Sequence, residues 1–196
     1  MMCMLHGFAQ RKGKRMVITA LDIKGAFLIE RKPNRDERGY FARLYCENEF
    51  RESGICMPIR QINLCENKEK GTLRGLHFQK GRHAEDKVVS CTRGRIYDVC
   101  ADVREDSPTY LKYCAYELSE DNGRMLFIPK GCAHGYVTLE EDSQLLYLMS
   151  EFYVSEDAGG YRYDDPALGI AWPITENLVM SHKDRELPYV SCSEEV

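Results

Sequence analysis

Short runs of apolar or alternating residues dominate the chain, and this is the pattern of buried and half-buried β-strands. Clusters of turn-forming residues, such as 34–39, separate these runs at short intervals. One short helix is predicted at 47–53, and a short helix or loop over the last 20 residues. The predicted strands are 17–23, 26–31, 40–45, 56–65, 71–79, 87–92, 95–103, 110–118, 124–128, 134–139 and 144–150. Many short strands at regular spacing predict an all-β sandwich or barrel with a few short helices.

Two of these runs, 87–92 and 95–103, are separated by Arg93 and Gly94. A two-residue junction that contains glycine is typical of a β-hairpin, because glycine readily takes the positive φ of a tight turn. We therefore predict that these two strands pair with each other. In the second run, Asp98 shares one strand face with other even-numbered residues, opposite an apolar face.

The run 71–79 concentrates polar chemistry on one strand, because it contains Arg74, His77 and Gln79. Successive side chains of a strand point to opposite faces, so His77 and Gln79 share one face and Arg74 takes the other. A bulge at Gly75 would change this assignment, since a bulge adds one residue to a strand. On residue type alone, His77 fits a hydrogen-bonded structural histidine as well as a functional one.

The composition is that of an ordinary globular protein. The 196 residues are 43% hydrophobic and 30% charged, with a formal net charge of −4 and basic residues spread along the chain. This distribution argues against nucleic acid as a partner, and no apolar run has the roughly 18 to 20 residues of a membrane span. The length fits a single domain, 16–196, behind a disordered extension over 1–15, with Met16 as a candidate natural start.

The nine cysteines do not form a disulfide or zinc framework, because their number is odd and they include no Cys-x-x-Cys pair. Most of them lie within apolar or alternating runs, where a free cysteine behaves as a small buried hydrophobe. Free thiols are typical of a reducing compartment, so the cysteine content favours the cytoplasm.

His77 and His134 each lie close to a glycine in a predicted strand, and two histidines in one small barrel suggest a metal site. Cupin-type jelly rolls bind a metal through a His-x-His pair, a later glutamate and a distant histidine. Here Gln79 takes the place of the second histidine, which leaves His77, Glu85 and His134 as an incomplete ligand set. We therefore predict no metal, and a non-catalytic or metal-binding cupin used for sugar recognition is the alternative.

Five motifs occur in order along the chain: GTLRGLHFQ at 71–79, RG at 93–94 followed by YDV at 97–99, DVREDSPTY at 102–110, IPKGCAHG at 128–135 and DDPALGIAWP at 164–173. Together they closely resemble the dTDP-4-dehydrorhamnose 3,5-epimerase family, over roughly 17–188. The resemblance implies a cupin-type jelly roll, a homodimer with strand exchange near the N-terminus, and no metal or organic cofactor. The implied reaction inverts C3 and C5 of a nucleotide-linked 4-keto-6-deoxyhexose, converting dTDP-4-dehydro-6-deoxyglucose to dTDP-4-dehydrorhamnose.

That reaction explains the catalytic residues which the resemblance implies. A 4-keto group acidifies the C3–H and C5–H bonds, so a base, a cation at the enolate oxygen and an acid on the opposite face are needed. His77 matches the base, and Asp184, in the segment SHKD at 181–184, matches the carboxylate that orients it. Lys87 matches the lysine that faces the keto oxygen, and Tyr147 matches the acid.

The substrate-binding residues come from the same resemblance. A nucleotide diphosphate is strongly anionic, so arginine is the expected anchor. Arg74 matches an arginine that contacts the pyrophosphate, and Arg38 matches one supplied by the neighbouring subunit. The remaining matches to sugar, phosphate or pocket contacts are Gln61, Asn63, His134, Tyr153 and Phe41.

Two positions depart from the family pattern. Arg43 stands where the family often has a glutamate that helps to recognise thymine, and Cys65 stands where serine is common. The charge reversal at Arg43 leaves the identity of the nucleobase open. A sibling epimerase that inverts C3, C5 or both on another nucleotide-linked 4-keto sugar is therefore the second alternative.

Overall fold

The computed structural model describes residues 16–190, and the predictions made for 1–15 lie outside this range. Two short α-helices, α1 (Glu47–Glu52) and α2 (His182–Arg185), and a 3-10 turn at Gly81–His83 accompany the strands. The strands are β1 (Met16–Ala20), β2 (Phe27–Arg31), β3 (Asn34–Asp36), β4 (Gly39–Phe41), β5 (Gln61–Asn67), β6 (Leu73–Gln79), β7 (Lys87–Arg93), β8 (Arg95–Asp102), β9 (Tyr113–Ser119), β10 (Arg124–Ile128), β11 (Cys132–Thr138), β12 (Ser143–Met149) and β13 (Ala158–Gly160).

Two antiparallel sheets pack face to face and form the jelly roll. One sheet has the order β1-β2-β10-β7-β12-β5, and the other has the order β13-β6-β11-β8-β9. The predicted all-β jelly-roll class is confirmed, and so is the short helix at 47–53. Within residues 16–190, no helix is long and apolar enough to cross a membrane.

The predicted pairing of 87–92 with 95–103 is wrong. β7 pairs with β10 and β12 in one sheet, whereas β8 pairs with β11 and β9 in the other. Gly94 has a positive φ of +72°, and a Cβ there would lie 2.6 Å from Ser143 Oγ. Gly94 forms a tight turn, as predicted, but this turn carries the chain from one sheet to the other. A turn within one sheet and a turn between two sheets can have the same local sequence, and the long-range pairing of the strands decides which one forms.

A β-bulge in β6 places the polar residues of this strand. His77 pairs with His134 and Arg74 pairs with Tyr136, so β6 has one residue more than β11 between these pairs. Gly75 makes the close approach possible, since its φ is +121° and a Cβ there would lie 2.6 Å from Gly135 Cα. The bulge changes the phase of the strand. The bulge that the sequence analysis allowed at Gly75 is therefore present, and Arg74 and His77 line one cavity instead of taking opposite faces.

The apolar core has three parts that hold this frame. Between the sheets, a cluster includes Val89, Ile96, Leu118, Leu126 and Leu145. The outer face of the six-stranded sheet packs on α1 through Phe50. On the outer face of the five-stranded sheet, C-terminal residues such as Leu168 and Trp172 cover Leu73, Leu76, Val99 and Val137. The C-terminal segment is thus packed against β6.

The region 34–45 differs from its prediction. The turn-rich break and the strand predicted at 40–45 form a short hairpin of β3 and β4, and every residue from 34 to 41 is exposed. The strand predicted over 56–65 begins only at Gln61. Pro58 precedes it and has no N–H group for a sheet hydrogen bond, which accounts for the later start.

Candidate active site

A cavity of about 560 Å³ lies beside β6, β13 and the C-terminal segment. A smaller chamber of about 220 Å³ extends between the two sheets. Arg74, His77, Lys87 and Met149 line both spaces, so they mark the junction between them. The site therefore lies at one end of the barrel, with β6 as its shared wall.

His77 and Asp184 form a close pair at this junction. His77 Nε2 lies 2.6 Å from Asp184 Oδ1, and the Asp184 side chain is 6% exposed. The backbone N–H of Asp184 donates to Ser181 Oγ at 3.0 Å, which caps α2. Burial acts to raise the pKa of Asp184, but hydrogen bonds from His77 and Ser181 outweigh it and lower that pKa. An ionised Asp184 accepts the Nε2–H, so the lone pair of a neutral His77 is at Nδ1.

Lys87 supplies a cation to the same wall. Its side chain is 8% exposed, and Nζ lies 2.9 Å from Glu85 Oε1. Nζ also donates to the backbone carbonyl of His77 at 3.3 Å. The ammonium is therefore fixed beside the histidine. Glu85 entered the sequence analysis only as a candidate metal ligand, and no local signal had pointed to its pairing with Lys87.

Tyr147 brings a phenol into the smaller chamber. Burial raises the pKa of Tyr147 well above its ordinary value, and the nearby Tyr136, Asp98 and Cys65 add to the increase. The ring also packs edge-to-face against His134, with centroids 5.9 Å apart. Tyr147 is therefore a neutral hydroxyl at physiological pH and can donate a proton.

His134 lines the smaller chamber and has a buried carboxylate behind it. His134 Nε2 lies 2.8 Å from Asp98 Oδ1, and neither side chain is more than 6% exposed. Burial raises the pKa of Asp98 despite the opposing effect of His134. Asp98 Oδ2 has no hydrogen-bond partner among residues 16–190. The sequence placed Asp98 on a polar face of its strand but gave it no role in the site.

Arg74 is oriented by a buried amide. Its Nε donates to Asn67 Oδ1 at 2.9 Å, and the hydroxyl of Tyr136 donates to the same oxygen at 3.0 Å. Asn67 Nδ2 in turn donates to the Ser143 carbonyl at 3.2 Å, which fixes the amide. Asn67 was missed by the sequence analysis, because one asparagine in a strand carries no recognisable pattern.

The other predicted binding residues occupy different parts of the surface. Asn63 lines the smaller chamber and Tyr153 lines the larger one. Gln61 is not among the residues that line either space. It accepts a hydrogen bond from the Tyr153 N–H at 3.2 Å and donates to Asn63 Oδ1 at 3.1 Å. Its role within one chain is therefore to join two residues of the site.

Arg38 and Phe41 lie on the exposed β3–β4 hairpin and do not line either space. The Arg38 side chain is 83% exposed and pairs with Asp36 at 2.6 Å. Phe41 is 65% exposed. Arg43, which stands where the family often has a glutamate, forms an ion pair of 2.6 Å with Glu49. One chain alone does not bring the hairpin residues to the cavity.

A metal site is not assembled by the candidate ligands. Among residues 16–190, no three His, Cys, Asp or Glu side chains are grouped so that they could hold an ion. Gln79, at the position of the absent second histidine, donates to Glu85 Oε2 at 2.7 Å. Glu85 is thereby committed to Gln79 and Lys87.

The chamber can support the movement of a proton to and from carbon. Neutral His77, oriented by a carboxylate, can accept a proton from an acidic C–H bond. The ammonium of Lys87 can stabilise the oxyanion that forms, and the neutral phenol of Tyr147 can return a proton. The fold and the chamber together define a cupin-type isomerase that inverts carbon centres by proton transfer.

Known proteins identify the family within this class. The family model of dTDP-4-dehydrorhamnose 3,5-epimerase matches residues 20–191. The enzyme of that name from Sinorhizobium fredii is 41% identical over 173 residues, which are 88% of this chain and 89% of the relative. The Bacillus anthracis epimerase, solved with TDP and PPi bound, superposes with a TM-score of 0.86 at 38% identity and covers 89% of this chain and 99% of its own.

A second similar structure contains a keto sugar. The Legionella pneumophila epimerase, in complex with dTDP-4-keto-L-rhamnose, has a TM-score of 0.85 and 35% identity, covering 89% of this chain and 93% of its own. The chain therefore belongs to the dTDP-4-dehydrorhamnose 3,5-epimerase family, as its motifs predict, and it is an epimerase of the isomerase class.

Proposed function

We propose that the protein converts dTDP-4-dehydro-6-deoxyglucose to dTDP-4-dehydrorhamnose by inverting C3 and C5, with residues 16–196 acting as one domain. The observation that carries this proposal is that His77, Lys87 and Tyr147 line one chamber, with Asp184 bonded to His77. Base, cation and acid are the three groups that two successive carbon epimerisations need.

Each inversion uses the same steps. His77 Nδ1 takes the proton from the acidic carbon, the C–H electrons move into an enolate, and negative charge develops on the C4 oxygen. The ammonium of Lys87 stabilises that oxygen. Tyr147 then donates its proton to the opposite face of the carbon, and the resulting phenolate recovers a proton from solvent. Loss of the proton from His77 to solvent completes the cycle.

The nucleotide is held by charge and by polar contacts. Arg74, fixed by Asn67, is proposed to bind the diphosphate, because a guanidinium forms paired hydrogen bonds with phosphate oxygens. His134 and Asn63 would contact the sugar in the smaller chamber, and Tyr153 would contact the part of the ligand that occupies the larger cavity. The TDP and PPi in the Bacillus anthracis structure support a thymidine diphosphate ligand.

The working form is proposed to be a cytoplasmic homodimer. The exposed hairpin presents Tyr40 and Phe41, 54% and 65% exposed, while the edge strand β5 presents Ile62 and Leu64, 58% and 64% exposed. Apolar surface beside an unpaired strand edge favours association with a second chain. A hairpin that docks on the β5 edge of its partner would bring Arg38 toward the partner's cavity.

Proton exchange tests the proposal and separates it from its alternatives. The protein is incubated in D₂O with dTDP-, UDP- and CDP-linked 4-keto-6-deoxyglucose, and deuterium at C3 and C5 is followed by NMR. We expect exchange at both carbons with the dTDP sugar. Exchange at one carbon identifies a monoepimerase, and exchange with another nucleotide only identifies a sibling specificity. No exchange with any sugar overturns the proposed function.

A further inference from the structure

Three buried polar side chains lie in the wall of the larger cavity: Gln79, Glu85 and Lys87 are each 5 or 6% exposed. A buried carboxylate is unfavourable unless it is paired and hydrogen-bonded. Glu85 meets this condition on both oxygens. Its Oε1 lies 2.9 Å from Lys87 Nζ, and its Oε2 accepts a hydrogen bond from Gln79 Nε2 at 2.7 Å.

Gln79 fixes this group to two backbone segments. Its Nε2 also faces the carbonyls of His83 at 2.9 Å and Phe152 at 3.1 Å. Its Oε1 accepts the backbone N–H of Val154 at 2.6 Å. The segment 152–154 carries Tyr153, which lines the cavity. The carboxylate of Glu85 is therefore held by groups that have little freedom to move.

The donors of Lys87 suggest what this frame is for. An ammonium has three N–H donors. Among residues 16–190, the partners of Lys87 Nζ are Glu85 Oε1 and the carbonyl of His77, which leaves one donor for a ligand in the cavity. We infer that Glu85 is a positioning residue, which keeps the ammonium of Lys87 charged and directed at the keto oxygen of the sugar. The inference rests on the proposed function of Lys87.

The electrostatic surroundings explain why a carboxylate is needed. A buried ammonium without a counter-charge gives up its proton more readily, and a neutral amine stabilises an enolate poorly. Besides Glu85, the charged or titratable groups around Lys87 in the cavity walls and next to them are Arg74, Lys183, His77, His134, Asp98, Asp184, Tyr147, Tyr153, Tyr136 and Cys65. Four of these, Arg74, Lys183, His77 and His134, can only add positive charge. The carboxylates of Asp184 and Asp98 are paired with the two histidines, so Glu85 is the counter-charge in contact with Lys87.

Glu85→Gln is the decisive variant, because it removes the charge and keeps the shape. We expect kcat at pH 7 to fall about tenfold or more, with dTDP affinity unchanged. The alkaline limb of kcat/KM should move to lower pH by roughly one unit, with partial recovery of activity at low pH. Glu85→Asp, which restores the charge, should return the limb toward its wild-type position. Glu140→Gln, which removes an exposed carboxylate paired with Arg95, is the matched control and should change nothing.

A wild-type kcat and pH profile in Glu85→Gln overturns the inference while leaving the proposed function intact. A loss of equal size at every pH, accompanied by a lower Tm, also overturns it, because that result describes a structural residue. Failure of the proposed function is seen separately, as no exchange in the wild-type protein. In that case NMR of ¹³C-methylated lysines, with the Lys87 signal assigned from the Lys87→Ala variant, tests the inference. Identical titration of Lys87 in the wild type and in Glu85→Gln overturns it. Deprotonation of Lys87 at a lower pH in Glu85→Gln supports it.

Discussion

His77 Nε2 and Asp184 Oδ1 lie 2.6 Å apart although the two residues are 107 positions apart in the chain. The contact depends on the C-terminal segment, which runs alongside β6. Thr72 and Val179 form a parallel bridge there, and the Leu73 N–H donates to the Val179 carbonyl at 2.9 Å. A short cap at Ser181 then turns Asp184 toward the histidine. The carboxylate that orients the proposed base is therefore brought to it by backbone pairing of a segment that is distant in sequence.

Asp184→Asn should lower exchange at both C3 and C5 by about 100-fold or more, because His77 loses the carboxylate that orients it. Affinity for dTDP should change little, since Asp184 does not contact the proposed diphosphate anchor. Both rates are measured by NMR in D₂O and binding by calorimetry. Asp164→Asn, which alters a carboxylate paired with Arg162, serves as the control. Loss of exchange at one carbon alone would contradict a single base.

Tyr147→Phe should separate proton removal from proton return. The variant retains His77, so deuterium exchange into the substrate should continue, while the formation of inverted product falls roughly 100-fold. KM should stay close to that of the wild type. NMR of the isotope content and of the sugar configuration, followed in the same sample, measures both quantities. An unchanged rate of product formation would show that Tyr147 serves only in packing.

Arg38→Ala and His77→Ala, each nearly inactive alone, should complement one another when the two chains are coexpressed. In a hybrid dimer, one site has its own His77 and the intact Arg38 of the other chain. Random mixing should then restore about one quarter of the wild-type activity, because half of the dimers are hybrids and each has one complete site. Turnover by the purified mixture measures this. If Arg38 acts within its own chain, mixing restores nothing.

Asp102 should make stability depend on pH in the acid range. Burial acts to raise the pKa of Asp102, but hydrogen bonds from Arg104, Ser107 and Thr109 outweigh it and lower that pKa to about 2. A lowered pKa stabilises the fold above the unfolded value near 4, and this contribution is lost as the pH falls toward 2. Asp102→Asn should therefore lower the free energy of unfolding at pH 7 by roughly 1 to 2 kcal/mol.

Urea unfolding between pH 7 and pH 3 tests this effect. The difference between Asp102→Asn and the wild type should narrow as the pH falls below about 4, because the unfolded wild type then takes up a proton on Asp102 that the folded protein, with its lower pKa, does not. Asp106→Asn, in the exposed turn nearby, is the control and should follow the wild type. A difference that stays constant with pH would assign the loss to packing.

The strands and the central motif could be predicted from the sequence because their signals are local. Short apolar runs mark β10 and β12. The resemblance supplied His77, Lys87, Tyr147 and Asp184, which line the two adjoining spaces of the site. What escaped prediction depends on contacts between distant segments. The turn at Gly94 has the same sequence signal whether it joins two strands of one sheet or crosses between sheets.

Three supporting residues could not be predicted for a related reason. Asp98 and Asn67 contact partners on other strands, and Glu85 contacts the buried ammonium of Lys87. Each is a common residue type with no spacing of its own to distinguish it. Their place in the site follows from burial, because a buried polar group needs a partner.

The bulge at Gly75 also sets a length. It turns Arg74 and His77 to the same cavity, and three residues of extended backbone span at most about 10 Å. The distance from the proposed anion anchor to the proposed base is therefore set within one covalent segment and not by the closure of loops. This fixed spacing selects ligands by length. A ligand can react only if the distance between its phosphate and its reacting ring carbon matches the distance between the two side chains, so the length of the ligand matters as well as its charge and shape.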